Sequence, residues 1–376
     1  MRPAAILACV AISVARDLLV TEFESALPAE PVLDVEARMD EHRLGAMLVR
    51  GDDGRLDRVV TRQMLGALRA DGADLSQAFA GEVARPVTAV GAQESLDSVF
   101  ESLRAQAVGR LPVADGDRDL GIVTRGDILD YRKLVARMGP PLEDVILDIS
   151  PNDKMFEGHL VGYLWAGALG VEGVQRAQAA AGKEGLRSIL DFACGHGRVL
   201  RTLKAVYPQA QLAACDVDRD GVRFCARTFG ATPFISHEDP ARIRLEGRFD
   251  LVWCASLLTH LDAGRWDAFL SLFESVLAPS GLLVFTVLGE AVLPALRDGT
   301  LFAAPQEEHL RRRIVEGCTA TGFGYSEFTG RPGYGLTVCT TEWVARTISK
   351  RPGLRLLHHE EGAWPVQDVV ACVATG

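Results

Sequence analysis

The run Ile189-Leu190-Asp191-Phe192-Ala193-Cys194-Gly195-His196-Gly197-Arg198 restricts what this 376-residue chain can fold into more than any other stretch. An apolar strand ends on a carboxylate, turns through small residues and enters a helix predicted over 199–206. Such a turn lets a ligand approach the backbone closely at a helix N-terminus. A dinucleotide fingerprint reads G-x-G-x-x-G or A. Counted from Gly195, its third small residue falls on Leu200, too large for close helix–strand packing, and the charge of Asp191 would repel a pyrophosphate. A nicotinamide-dependent oxidoreductase is therefore disfavoured. The same carboxylate suits a cationic ligand that carries an amino group and a sulfonium. A second acidic strand end, Asp216, follows about 20 residues beyond Gly195, where it can accept from both ribose hydroxyls.

After residue 188, strand and helix patterns alternate: strand 189–191, helix 198–206, strand 212–216, helix 219–229, strands 233–236 and 249–255, helix 264–278, strand 282–287. Alternation of this kind predicts a parallel sheet with right-handed crossovers. A helix is predicted over about 156–181, where Tyr163 and Trp165 either pack in the core or reach a ligand. A charged helix over 306–318 and a glycine- and aromatic-rich stretch over 321–330 precede a helix at 341–350 and strands at 354–359 and 366–374.

The region resembles the class I S-adenosylmethionine (SAM)-dependent methyltransferases. Their first motif is commonly D-x-G-C-G-x-G, and the chain reads Asp191-Phe192-Ala193-Cys194-Gly195-His196-Gly197, with alanine where glycine is usual. The resemblance continues through Arg248-Phe249-Asp250-Leu251-Val252-Trp253-Cys254-Ala255-Ser256 and Leu277-Ala278-Pro279-Ser280-Gly281-Leu282-Leu283-Val284-Phe285. It implies a Rossmann-like α/β fold with a mostly parallel seven-stranded sheet and an antiparallel last strand. It implies SAM as cofactor: Asp191 at the amino end, the backbone of Ala193, Gly195 and Gly197 along the methionine and ribose, and Asp216 with Val217 at the ribose. His237 and Glu238 would edge the adenine, and Ser256 would border the site. Asp250, at the far end of its strand, reads as structural. Family members usually pass from the fifth strand straight to a helix, so residues 289–340 read as an insertion at the substrate edge, either a lid or a surface excursion.

His260 follows the fourth strand at the carboxyl edge, where substrate binds in such sheets. Its ordinary pKa suits deprotonation of a hydroxyl or amine. It is the candidate catalytic base, with a capping or packing role as the alternative. His196 reads as a contact.

The first third contains an internal repeat. Gly45-Ala46-Met47-Leu48-Val49, a turn through Asp52-Asp53-Gly54, and Arg58-Val59-Val60-Thr61-Arg62 recur as Gly109-Arg110-Leu111-Pro112-Val113, a turn through Asp115-Gly116-Asp117, and Gly121-Ile122-Val123-Thr124-Arg125. An amphipathic helix precedes each copy. This unit resembles a pair of CBS domains, the Bateman module, a smaller α/β domain expected over 14–135 with copies at about 14–72 and 80–135. In that family an [S/T]-x-x-D tail binds the ribose of adenosine nucleotides. Copy two has it as Thr124-Arg125-Gly126-Asp127; copy one reads Thr61-Arg62-Gln63-Met64 and lacks the carboxylate. The resemblance implies either nucleotide sensing or packing and homodimerisation. A linker is expected over 136–155, where Met138-Gly139-Pro140-Pro141 breaks any helix, and the catalytic domain over 156–376.

A net charge of −10 argues against a nucleic-acid partner, which calls for a basic surface. The eight cysteines show no C-x-x-C spacing and read as reduced thiols in a cytoplasmic protein. The eight histidines form no metal-ligand spacing, so no metal is expected. No run of 18 or more apolar residues predicts a membrane span. The apolar stretch 3–15, ending in Ser13-Val14-Ala15, is compatible with a leader, against which the single basic residue ahead of it, Arg2, and the cytosolic origin of SAM both argue. The chain thus reads as a SAM-dependent methyltransferase acting on oxygen or nitrogen of a small-molecule acceptor. The alternative is a nucleotide- or SAM-binding regulatory protein whose methyltransferase fold is catalytically inactive.

Overall fold

Alternating strand and helix signals produce a central sheet in the C-terminal half of the computed structural model, which describes residues 12–51, 53–301 and 304–376. Its strands are β1 (Ser188–Phe192), β2 (Gln211–Asp216), β3 (Thr232–Ile235), β4 (Phe249–Cys254), β5 (Leu277–Val287), β6 (Leu354–Trp364) and β7 (Gln367–Ala374). Their spatial order is 3-2-1-4-5-7-6. β7 runs antiparallel to both of its neighbours, and every other pairing in this sheet is parallel. The expected mixed α/β architecture with one antiparallel last strand is therefore present.

Burial on both faces explains the strand composition. Leu190, Val252, Leu283 and Val370 pack with Trp266, Phe269 and Phe273 of helix Ala263–Val276 on one face. Ile189, Leu251, Trp253 and Val284 pack on the other face, with Val171 and Val174 of helix Leu160–Ala181. Small residues let that helix approach. A Cβ on Gly167 would lie 2.3 Å from Thr202 Oγ1, and one on Gly170 3.1 Å from the Trp253 ring. Asp250 is structural, as read: its Oδ2 accepts from the backbone of Arg187 at 2.8 Å and Ser188 at 3.2 Å.

The insertion after β5 folds around a small core of its own. Helices Leu293–Asp298 and Glu308–Thr321 and an antiparallel hairpin, Phe323–Glu327 with Gly335–Cys339, bury Leu296, Ile314, Leu336 and Val338.

Contacts divide the chain at Gly139. Residues 140–155, expected as linker, group with the C-terminal unit, while Phe156–Tyr163 group with the N-terminal one. Arg201 is 1% exposed and donates to the carbonyls of Ile146 at 2.6 Å and Asp148 at 3.1 Å, fixing the former segment to the sheet unit.

The N-terminal unit holds the two copies as two small sheets. One contains Ala46–Arg50 and Leu56–Thr61, the other Arg110–Asp115 and Arg118–Thr124. The segment leading into each copy crosses to the other. Val20 bridges Ile122 in the second copy, and Arg85 and Pro86 pair with Val59 and Arg58 of the first. Helix Arg62–Ala70 starts on Thr61 and helix Arg125–Met138 on Thr124, each hydroxyl accepting a backbone N–H at 3.1 Å. Most of the 3–15 stretch lies outside the described residues, as does Asp52. Of its end, Val14 bridges Ser95 and Ala15 is buried.

Candidate active site

The motif turn is built by backbone conformations that side chains resist. Gly195 and Gly197 have φ of 51° and 79°, and a Cβ on Gly197 would meet Phe229 at 2.4 Å. Ala193 also has a positive φ, 64°, in a region that costs an L-residue about 1–2 kcal/mol. Helix Arg219–Phe229 presses on the turn through Gly221, whose Cβ would fall 2.3 Å from the Gly195 carbonyl oxygen. The Gly195 N–H donates to Asp216 Oδ2 at 2.8 Å, tying the tip of β2 to the turn after β1.

A cavity of about 360 Å³ opens at this carboxyl edge of the sheet. It is lined by Asp191, Ala193, Gly195, Asp216, Ser256 and His260, so six of the residues singled out from sequence face one space. Gly197, Val217, His237 and Glu238 are not among its lining residues. Val217 is exposed at 62%, Glu238 is exposed, and His237 Nδ1 accepts from the backbone of Asp239 at 2.9 Å. His196 lines the cavity and is buried, its Nε2 3.2 Å from Asp220 Oδ2.

Asp191 is 3% exposed. Burial, reinforced by the neighbouring charge of Asp216, pushes its carboxyl up to about 8, although Arg198 and the Leu200 N–H pull the other way. Ser256 sits at a φ of 59°, its N–H on Thr286 Oγ1 at 2.8 Å and its Oγ accepting from Gln367 Nε2 at 2.9 Å. His260 Nδ1 lies 2.7 Å from the Gly335 carbonyl, so that nitrogen carries the proton and Nε2 keeps its lone pair. Burial holds the imidazole below its ordinary pKa, hence neutral, and the ring stacks on Tyr334 at 4.5 Å.

The sequence did not single out the other walls. Tyr334 comes from the insertion hairpin, Trp364 from the end of β6, and Asp153 and Met155 from the segment expected as linker. Arg198 stands 5.1 Å from the centre of the Trp364 ring. Trp253 lines the cavity too, and its buried Nε1 has no hydrogen-bond partner among the described residues. Arg198 and Trp253, by contrast, had a signal in their places inside the quoted motifs.

The repeat unit holds a second set of candidates. Thr124 Oγ1 donates to Asp127 Oδ2 at 2.7 Å, and Asp127 is 7% exposed. A separate cleft of about 510 Å³ is lined by Thr61, Gln63, Arg104, Arg110 and Arg125, among others. Among the described residues no group of three or more His, Cys, Asp or Glu side chains is gathered as for a metal. No described helix is long and apolar enough to cross a membrane.

Comparison with known proteins gives two family matches: a methyltransferase domain over residues 189–281 and a CBS domain over 80–134. Hypoxic response protein 1 of Mycobacterium tuberculosis is 38% identical over 92 residues, covering 24% of this chain and 64% of that protein. The crystal structure of Hypoxic Response Protein I with two coordinated zinc ions is 31% identical, covers 32% of this chain and 99% of that one, and gives a TM-score of 0.29. CBSX2 in complex with AMP is 22% identical over 33% of this chain and 98% of that one, with a TM-score of 0.30. Malonyl-[acyl-carrier protein] O-methyltransferase of Laribacter hongkongensis is 32% identical over 121 residues, 29% of this chain and 40% of that protein. The chain spans less than two thirds of the length of either curated relative. The chain therefore joins a CBS domain to a methyltransferase domain.

Proposed function

We propose that the protein is a SAM-dependent methyltransferase acting on oxygen or nitrogen of a small-molecule acceptor. The observation that carries this reading is the sharing of one cavity by Asp191, Asp216 and His260. The residues fit the cofactor. A buried carboxyl pushed up to about 8 is a site that a cationic amino group would relieve, since an opposite charge favours the ionised form. The partnerless Trp253 N–H is a donor in the same wall. Bound SAM supplies an activated methyl on a sulfonium, with its leaving group built in.

The chain's own residues supply position and dryness. Asp216 would take the ribose hydroxyls, and Asp191 the amino group. The neutral His260, its Nδ1 proton fixed on Gly335, would take the acceptor's proton at Nε2. Tyr334 brings the insertion hairpin to the cavity rim, in keeping with a lid over the acceptor. The relative named as an O-methyltransferase makes oxygen the first acceptor atom to test. Isothermal titration with SAM, followed by transfer of labelled methyl to a panel of hydroxyl, carboxyl and amine acceptors, tests the reading. Absence of SAM binding would remove it. Binding without transfer to any acceptor would favour the inactive regulatory reading, for which the strained Ala193 in the cofactor turn is the supporting feature.

The second CBS copy, with Thr124 and Asp127, is read as an adenosine-nucleotide site, and the pair as the means of homodimerisation. The nearby cleft, lined by Arg104, Arg110 and Arg125 though not by Thr124 or Asp127 themselves, and the starts of two helices support a positive field of the kind that phosphates require. Light scattering on purified protein with and without AMP tests the dimer. The cytoplasm, where SAM is made, is the proposed place of action.

A further inference from the structure

The carboxylate that would take a ribose in the second copy already has two partners. Its Oδ2 accepts from the Thr124 hydroxyl at 2.7 Å, and its Oδ1 lies 2.6 Å from His159 Nε2. The proton between Asp127 and His159 has a definite owner. His159 Nδ1 accepts from the Gly162 backbone N–H at 3.3 Å, so Nε2 carries the hydrogen and donates to Asp127. The ring fits because residue 162 is glycine: a Cβ there would lie 2.6 Å from Nδ1. His159 thus does two jobs, covering Asp127 and satisfying a free N–H in the first turn of helix Leu160–Ala181. His159 lies outside both repeats in sequence, in the segment Phe156–Tyr163 that groups with the N-terminal unit.

We propose that His159 is a built-in competitor for the nucleotide site of the second CBS copy, occupying Asp127 until an adenosine nucleotide's ribose displaces it. The inference rests on the reading of Thr124 and Asp127 as a nucleotide site. Each Asp127 oxygen already accepts one hydrogen bond and the side chain is only 10% exposed, so an incoming ribose hydroxyl meets a carboxylate that is already engaged and competes with His159 for it. Displacement also strips the helix start of its Nδ1 acceptor, so binding costs the free energy of two hydrogen bonds before any is made. The first copy has no such contest, because Met64 stands where Asp127 would be.

The test is calorimetric titration of AMP and ATP into the full-length native chain, His159→Ala and Asp127→Asn. The expected result is at least tenfold tighter AMP binding in His159→Ala than in the native chain, and its loss in Asp127→Asn. Equal or weaker binding in His159→Ala would overturn the competitor while leaving a nucleotide site in place. Absence of heat from both nucleotides in the native chain and His159→Ala would remove the nucleotide reading and this inference with it. A second measurement needs no variant. Carbethoxylation of His159, followed by mass spectrometry, should accelerate several-fold as AMP saturates the native chain. A rate that stays flat or falls under saturating AMP would equally sink the proposal.

Discussion

Two buried carboxylates, each proposed to hold part of an adenosine compound, meet their surroundings in opposite ways. Asp127 follows a threonine at a helix start and has a hydrogen-bonding side chain on each oxygen, from Thr124 and from His159. Asp191 ends a central strand, faces a cavity of about 360 Å³ and is pushed up to about 8 by burial and by Asp216. The first is satisfied within the folded chain and must be opened. The second is only partly offset by Arg198 and the Leu200 N–H, and a cationic ligand would complete it. Burial alone therefore does not mark a binding carboxylate; what the neighbouring side chains leave unmet does.

The comparison can be broken most sharply on the open side. His260→Ala should cut turnover of the true acceptor by about 100-fold or more while leaving SAM affinity intact, as expected on losing a general base. A loss of only a few-fold in kcat would return His260 to a packing role beneath Tyr334. Asp191→Asn should weaken SAM by about 100-fold, the size of a charge-assisted hydrogen bond of about 2–3 kcal/mol. The same change should make the apoprotein more stable at pH 8. The folded carboxyl at about 8 stands above its unfolded value of 3.8, so the folded state binds the extra proton and native stability falls as pH climbs between them. Thermal melts of both proteins from pH 5 to pH 8 check this: the native chain should lose stability along the series, and the variant should lose less. Parallel curves would show that Asp191 carries no such cost.

Asp127→Ala should act the other way on stability, costing about 1–3 kcal/mol in denaturant unfolding because Thr124 and His159 lose their shared acceptor. An unchanged midpoint would mean that both side chains find water at no cost. SAM affinity should rise by up to about tenfold per pH unit between pH 6 and 7.5, with proton release on binding, as a ligand ammonium captures the ionised Asp191. A flat profile in calorimetry would take the amino group away from that residue. Smallest of all, Ala193→Gly should stabilise the fold by under about 1 kcal/mol, since relief of the positive φ is partly offset by glycine's entropy in the unfolded chain. A destabilised variant would show that the Ala193 methyl packs better than its backbone suffers.

Much of this molecule follows from local pattern. The Asp191–Gly197 run, the acidic end at Asp216 and the strand–helix alternation specify that β1 to β5 run parallel, because each signal is confined to a few neighbouring residues. The repeat is equally local, and the threonine at the same place in each copy starts a helix. Other site residues carried no such signal. Tyr334, Trp364, Asp153 and Met155 come from four separate stretches, and only folding brings them to one wall. His237 and Glu238 were carried over from the family resemblance, and neither is among the residues that line the cavity.

Composition and short-range order thus settled which residues turn, which strands run parallel and which two acids stand at strand tips, since backbone conformation and the continuous apolar runs of strands buried on both faces depend on adjacent positions. Tertiary structure decided which acid stays open. The partners of Asp127 include a ring 32 positions along the chain, and the environment of Asp191 depends on walls from β2, β4, β6 and an inserted hairpin. Desolvation and charge act through space, and no stretch of sequence contains the distances that set them.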